Sequence, residues 1–116
     1  MAKEDCLFCR IAAMEIPADI VFEDDQVIAF RDISPKAPVH ILLIPRVHIT
    51  SAASLNDANG PMLGRMFAVA AQLARDEGIA KSGFRLTTNS GPGAGQSVPH
   101  LHFHLMGGRQ MGWPPG

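Results

Sequence analysis

The sequence predicts an α+β domain: a five-stranded, mainly antiparallel sheet with one long helix and a short N-terminal helix. Two patterns carry this expectation. Short apolar-rich runs recur at hairpin spacing, and one longer stretch repeats its apolar residues every three or four positions. At 116 residues the chain fits a single domain spanning 1–116, long enough to bury about two-thirds of the surface its unfolded form would expose.

The elements follow in order. CLFCRIAAM (6–14) reads as a short helix with Leu7, Ile11 and Met14 on one side, broken at Pro17. IVFED (20–24) and VIAFRDI (27–33) flank an Asp25-Gln26 turn and form a hairpin pattern. SPKAP (34–38) is a loop. HILLIP (40–45) is almost continuously apolar, which predicts a central strand stopped at Pro45. In PMLGRMFAVAAQLARDEG (61–78), Met62, Leu63, Met66, Phe67, Ala70, Leu73 and Ala74 share one helical face. Pro61 in its first turn and Gly78 beyond its end match the usual helix asymmetry. FRLTTN (84–89) reads as a strand, SGPGAGQS (90–97) as a glycine-rich loop, and the segment from His100 as the last strand. Strands and long helix fall in separate runs, so the helix is expected on one face of the sheet.

Composition removes several classes of function. Hydrophobic residues are 47% and charged residues 18% of the chain, which suits a globular protein rather than a disordered one. Ten Lys and Arg balance eleven Asp and Glu without a basic run, so neither a nucleic-acid polymer nor an anionic membrane is expected as partner. No apolar run nears the roughly 20 residues of a membrane span. MAKEDCLFC is acidic and lacks the apolar region of a secretory signal, so a cytoplasmic location is expected. Disulfides are rare there. Cys6 and Cys9 are therefore free thiols or metal ligands, and Cys6-x-x-Cys9 is half of a tetrahedral zinc pattern.

QSVPHLHFHLMGG (96–108) holds three of the five histidines. On a strand, Leu101, Phe103 and Leu105 would enter the core while His100, His102 and His104 project from the other face, spaced about 6–7 Å. Three uses are open to such a row: a solvated polar face, an H-x-H metal chelate, or a set of imidazoles beneath a phosphate. The preceding loop supports the third use. Gly91, Gly93 and Gly95 allow close backbone approach to a ligand, and successive amides in such a loop can cradle an anion. Neutral imidazole is a competent nucleophile toward phosphorus, with another group supplying the proton to the leaving group.

HLHFHLM (100–106) resembles the H-φ-H-φ-H-φ-φ signature of the histidine triad (HIT) superfamily. EIPADIVFEDD (15–25), AFRDISPKAPVHILLIPRVHI (29–49), GQSVPHLHFHLMGGRQM (95–111) and WPPG (113–116) extend the resemblance to its Hint branch, the histidine triad nucleotide-binding proteins. The resemblance implies a HIT-like fold and a homodimeric purine nucleoside phosphoramidase. Such enzymes hydrolyse the P–N bond of adenosine 5′-monophosphoramidates, and aminoacyl-adenylates, through a nucleotidyl-histidine intermediate and release AMP. By resemblance His102 attacks phosphorus, His104 contacts the phosphate, and His100 and His40 support the cluster. Ser97 would lie near the scissile bond, or else be an ordinary turn residue, with Asn89, Gly95 and Gln96 around phosphate and ribose. Asp32 would bind the ribose hydroxyls, or else cap the loop before Ser34-Pro35. Phe8, Ile16, Phe30 and Ile33 would line the base pocket or belong to the ordinary core. Trp113 would be a surface tail residue or, because the family's C-terminus crosses toward the partner subunit's site, a candidate specificity element.

Some members of the superfamily hold a structural zinc at positions that here are Cys6, Cys9, His48 and His100. Many Hint-branch proteins lack the cysteine pair, so zinc and two reduced thiols both remain open. In neither case is a cofactor required for catalysis. Two other activities stand beside the phosphoramidase: dinucleoside polyphosphate hydrolysis, as in the Fhit-like branch, and nucleotide binding as an interaction module with little turnover. A metal-dependent hydrolase built on the H-x-H pair is a further alternative. GGRQM and WPPG favour the Hint branch.

Overall fold

The structure is a computed structural model that describes residues 3–116. A short helix α1 (Leu7–Ala12) precedes strands β1 (Ile20–Glu23), β2 (Val27–Arg31) and β3 (Val39–Pro45). Helix α2 (Gly60–Asp76) follows, then β4 (Phe84–Thr87) and β5 (Phe103–Gly107). The strands form one sheet in the order β1-β2-β3-β5-β4, and every neighbouring pair is antiparallel. The α+β architecture expected from the sequence is therefore present.

β3 is buried along its whole length because both faces of the sheet are covered. Val39, Ile41 and Leu43 face α2, where they meet Met66, Val69, Ala70, Leu73 and Ala74 together with Leu101, Phe103 and Leu105. Leu42 and Ile44 face the other way, joining Ile28, Phe30 and the α1 residues Phe8, Cys9 and Ile11. Gly107 ends β5 against Ile79; a Cβ there would lie 2.6 Å from the Ile79 Cδ1.

Three local expectations change. α1 buries Phe8, Cys9 and Ile11, while Leu7 is 46% and Met14 65% exposed. The helix is capped by the Cys6 side chain, and Met14 lies beyond its end with φ 63°, so it cannot continue a helical face from Leu7. On α2, Phe67 is 53% exposed although its ring packs edge-on against Phe103 at 5.5 Å. The last strand starts at Phe103 rather than His100. Before it the chain turns, with His100 N–H donating to the Val98 carbonyl and Leu101 N–H to the Ile49 carbonyl.

This placement of α1 sets a stability contrast. Ile11→Ala should cost about 2–4 kcal/mol by removing buried methyl groups, while Met14→Ala should cost under about 1 kcal/mol. Urea unfolding of the two variants checks it; equal losses would mean that α1 packs differently.

Candidate active site

The β3–β5 register pairs Leu42 with His104 and His40 with Met106. His40 and His104 are thus diagonal neighbours on the sheet face opposite α2. Their hydrogen bonds assign where their protons sit. The Lys36 backbone N–H donates to His40 Nδ1 at 3.0 Å, so neutral His40 carries its hydrogen on Nε2. That Nε2 lies 3.0 Å from His104 Nδ1. His104 accepts there and keeps its own hydrogen on Nε2. His102 is set the opposite way. Its Nδ1 donates to the His100 carbonyl at 2.8 Å, which leaves an electron pair on Nε2. The His102 and His104 rings stand 5.1 Å apart, centre to centre. One presents a lone pair and the other an N–H.

Both rings line a mainly apolar cleft of about 370 Å³. Of the residues singled out in the sequence, Phe8, Ile16, Phe30, Asp32, Ile33 and Ser97 also line it. Phe8 packs edge-on to Phe30 at 5.6 Å and to His102 at 5.1 Å, so the same ring borders both the cleft and the His102 imidazole. Ile33 is 98% exposed and stands at the rim. Asp32 accepts from Ser34 N–H at 2.7 Å and also approaches His40 Nε2 at 3.5 Å, so it caps its loop while facing the cleft.

Asn89, Gly95, Gln96 and Trp113 do not lie on the cleft wall. The Gln96 side chain braces the glycine loop: it accepts from Gly91 N–H and donates to the Thr50 and Val98 carbonyls. Trp113 is exposed on the C-terminal segment. Leu7, Ile11, Pro17, Ala18, Leu42 and Val98 line the cleft without having been named as site residues. Nothing distinguishes them in sequence from ordinary core residues. Arg31 lines it too, but Glu77 holds its guanidinium through two hydrogen bonds of 2.9 and 3.0 Å. The Lys36 amide has no sequence signal, because any residue except proline supplies it.

His100 turns away from the cleft. Its Nε2 donates to the Pro45 carbonyl at 2.9 Å, so the lone pair on Nδ1 faces Cys6 Sγ at 3.3 Å and Cys9 Sγ at 3.5 Å. His48 Nδ1 lies 3.3 Å from Cys9 Sγ. The four donor atoms lie within 4.8 Å of one another. Around a tetrahedral ion with metal–sulfur and metal–nitrogen bonds of about 2.3 and 2.0 Å, donors stand about 3.3–3.8 Å apart. The cluster can therefore hold a metal ion. Burial, reinforced by neighbouring Cys6, pushes the Cys9 thiol up, a penalty that a bound cation would reverse. Asp32, His40 and His104 also converge. They are a poorer metal site, because ligation through His40 Nε2 would shift its hydrogen to Nδ1, where the Lys36 N–H already donates.

The row of histidines expected together on one strand face is therefore divided: His100 belongs to the cysteine cluster, and His102 and His104 to the cleft. All three are at least partly buried. The physical reason is the turn before β5, which bonds the His100 ring to the end of β3 instead of leaving it in strand alternation.

The family model described as HIT domain matches residues 13–111. The chain belongs to the HIT family and is an enzyme of its hydrolase class. Among curated relatives, adenylylsulfatase HINT1 of Arabidopsis thaliana is 51% identical over 95% of this chain and 76% of its own. The purine nucleoside phosphoramidase of Escherichia coli K12 is 50% identical over 94% of this chain and 92% of its own. A 14 kDa zinc-binding protein of Brassica juncea is 49% identical over 97% of this chain and 100% of its own. In structure, a HIT family hydrolase from Legionella pneumophila superposes with a TM-score of 0.95 at 51% identity, covering 97% of this chain and 100% of that one.

Burial lowers the affinity of His40 for a proton. Burial, reinforced by His102 and His40, brings the pKa of His104 down to about 4. In the unfolded chain a histidine titrates near about 6.5. Between those values the unfolded chain binds more protons, so stability is full above the window and is lost as pH falls through it. The urea midpoint should thus be lower at pH 5 than at pH 7.5, and His104→Gln should flatten that dependence. A midpoint that rises on acidification would contradict the buried neutral assignment.

Proposed function

We propose that this chain is a purine nucleoside phosphoramidase that cleaves the P–N bond of adenosine 5′-monophosphoramidates. The observation that carries the reading is the pair of opposed imidazoles on the cleft wall: His102 offers a lone pair and, beside it, His104 offers a hydrogen-bond donor. Pure binding of a nucleotide needs donors but no aligned nucleophile. The volume of the cleft suits a nucleoside, with Phe8, Ile16 and Phe30 against the base and Asp32 accepting from the ribose hydroxyls.

The reaction runs as two displacements. His102 Nε2 attacks phosphorus, the P–N bond breaks, and the nitrogen leaves as an amine, protonated on the solvent side where exposed Ser97 stands. His104 Nε2–H donates to a phosphoryl oxygen as charge builds there. The nucleotidyl group leaves positive charge on the His102 ring. Its Nδ1–H bond to the His100 carbonyl strengthens in response. Water then attacks phosphorus, the bond to His102 breaks, and AMP departs. The same attack serves an aminoacyl-adenylate, where a P–O bond breaks instead.

Cys6, Cys9, His48 and His100 fit a structural zinc, and the zinc-binding name of one relative supports that ion. Four protein donors leave no open position, so the ion would contribute folding energy and fix the main chain rather than activate water. The chain is further read as a cytoplasmic homodimer. β4 is an edge strand with a partly exposed Phe84, and Phe67 lies exposed on α2; both surfaces suit burial against a second copy.

AMP release from an adenosine 5′-phosphoramidate tests the reading. His102→Ala should lower kcat/KM by about 10³-fold or more, as for loss of a catalytic nucleophile. A chelator should lower the melting temperature while still-folded protein keeps its activity. A His102→Ala protein with substantial activity, or direct dependence of turnover on added metal, would sink the assignment.

A further inference from the structure

We propose that the backbone amide of Lys36, clamped from the C-terminal side by Arg109, is the positioning device that holds the His104 hydrogen on Nε2, facing the phosphoryl group. The inference rests on the phosphoramidase reading for the role of that hydrogen. The hydrogen's placement is independent of it.

The chain of contacts is continuous. Arg109 Nε donates to the Lys36 carbonyl at 2.9 Å. The Lys36 N–H donates to His40 Nδ1 at 3.0 Å, and His40 Nε2 meets His104 Nδ1 at 3.0 Å. Each link fixes the next. An amide N–H can only donate, so His40 Nδ1 must accept. Neutral His40 then has one hydrogen, on Nε2, and His104 Nδ1 is the acceptor it reaches. His104 is left with its hydrogen on Nε2. Without the amide, His40 could carry its hydrogen on Nδ1. His104 would then have to donate from Nδ1 and would turn an electron pair toward the phosphoryl oxygens.

The turn bearing this amide is held at several points. Ser34 N–H donates to Asp32 Oδ1 at 2.7 Å, and Lys36 Nζ donates to the Ser34 carbonyl at 2.8 Å. The β3–β5 pairing ends with Val39 opposite Gly107, which brings Gly108 against Pro38. Gly108 adopts φ +90°, and a Cβ there would lie 2.9 Å from the Pro38 Cβ. Only glycine meets both conditions without strain. The chain can therefore turn closely over the loop and deliver Arg109 to the Lys36 carbonyl. This gives the Gly107-Gly108-Arg109 segment a role that the base pocket and the triad do not explain.

The test uses the full-length protein labelled with ¹⁵N in its histidines, without substrate, together with steady-state kinetics. Long-range ¹H–¹⁵N spectra distinguish a protonated ring nitrogen from an unprotonated one. In the wild type, His104 Nε2 and His40 Nε2 should both be protonated. Lys36→Pro removes the amide hydrogen; it should redistribute the His104 hydrogen toward Nδ1 and lower kcat about 10²-fold with KM little changed, as for loss of one preorganised donor. Arg109→Met keeps the amide but frees the turn; it should lower kcat by about 5-fold, the worth of one hydrogen bond, and Arg109→Lys should recover part of that loss. Should Lys36→Pro fail to fold, the Arg109 pair carries the test. An unprotonated His104 Nε2 in the wild type overturns the proposal, as do Arg109→Met spectra and kcat identical to the wild type. If the spectra are as expected but no phosphoramidate is cleaved, the proposal stands and the phosphoramidase reading fails.

Discussion

The antiparallel pairing of β3 with β5 is the constraint on which the rest of the molecule depends. Its register places Ile41 opposite Leu105 on the α2 side and Leu42 opposite His104 on the other. A slip of one residue would send His104 into the helix-facing core and bring Leu105 to the cleft. The apolar face thus enforces the position of the polar one. Because α2 buries Val39, Ile41, Leu43, Leu101, Phe103 and Leu105 together, the imidazoles on the reverse side are held as firmly as the core itself.

Main-chain groups then give each histidine a separate task. The Pro45 carbonyl takes the His100 ring and aims its lone pair at the cysteines. The His100 carbonyl takes the His102 hydrogen and leaves an electron pair on Nε2. The Lys36 amide does the opposite for His40 and, through it, His104. A carbonyl can only accept and an amide can only donate, so the four rings acquire fixed orientations with no carboxylate required. The described residues contain no buried side-chain nitrogen or oxygen without a partner, which is what keeps such a polar cluster from becoming a liability in a low-dielectric setting.

The succession of helices and strands along the chain was legible in the sequence, because apolar runs at hairpin spacing and one long amphipathic helix leave few alternatives; the order of the strands within the sheet was not. The sequence also exposed Cys6-x-x-Cys9 and the alternating histidines through residue types that are rare and closely spaced, whereas His48 and His100, 39 and 94 residues from their cysteine partners, entered the metal cluster only through the family resemblance. What it hid has physical causes. Period-two alternation over residues 100–105 holds only where the chain is extended, and the turn at Val98–Leu101 breaks that condition for His100. The α1 face was misread because six residues fix a helical phase weakly and Met14 leaves the helix altogether. Gln96 carries no mark that separates a loop brace from a ligand contact. Backbone donors such as Lys36 N–H are shared by nearly every residue type, so no side-chain pattern can reveal them.

The central claim is that phosphorus passes through a covalent bond to His102, and the stereochemical course at phosphorus tests it most directly. A phosphoramidate substrate made chiral at phosphorus with sulfur and oxygen isotopes would be hydrolysed and the configuration of the released nucleotide read. Two in-line displacements, first by His102 and then by water, predict overall retention. Inversion would mean that water attacks the substrate directly and that the lone pair on His102 serves some other purpose.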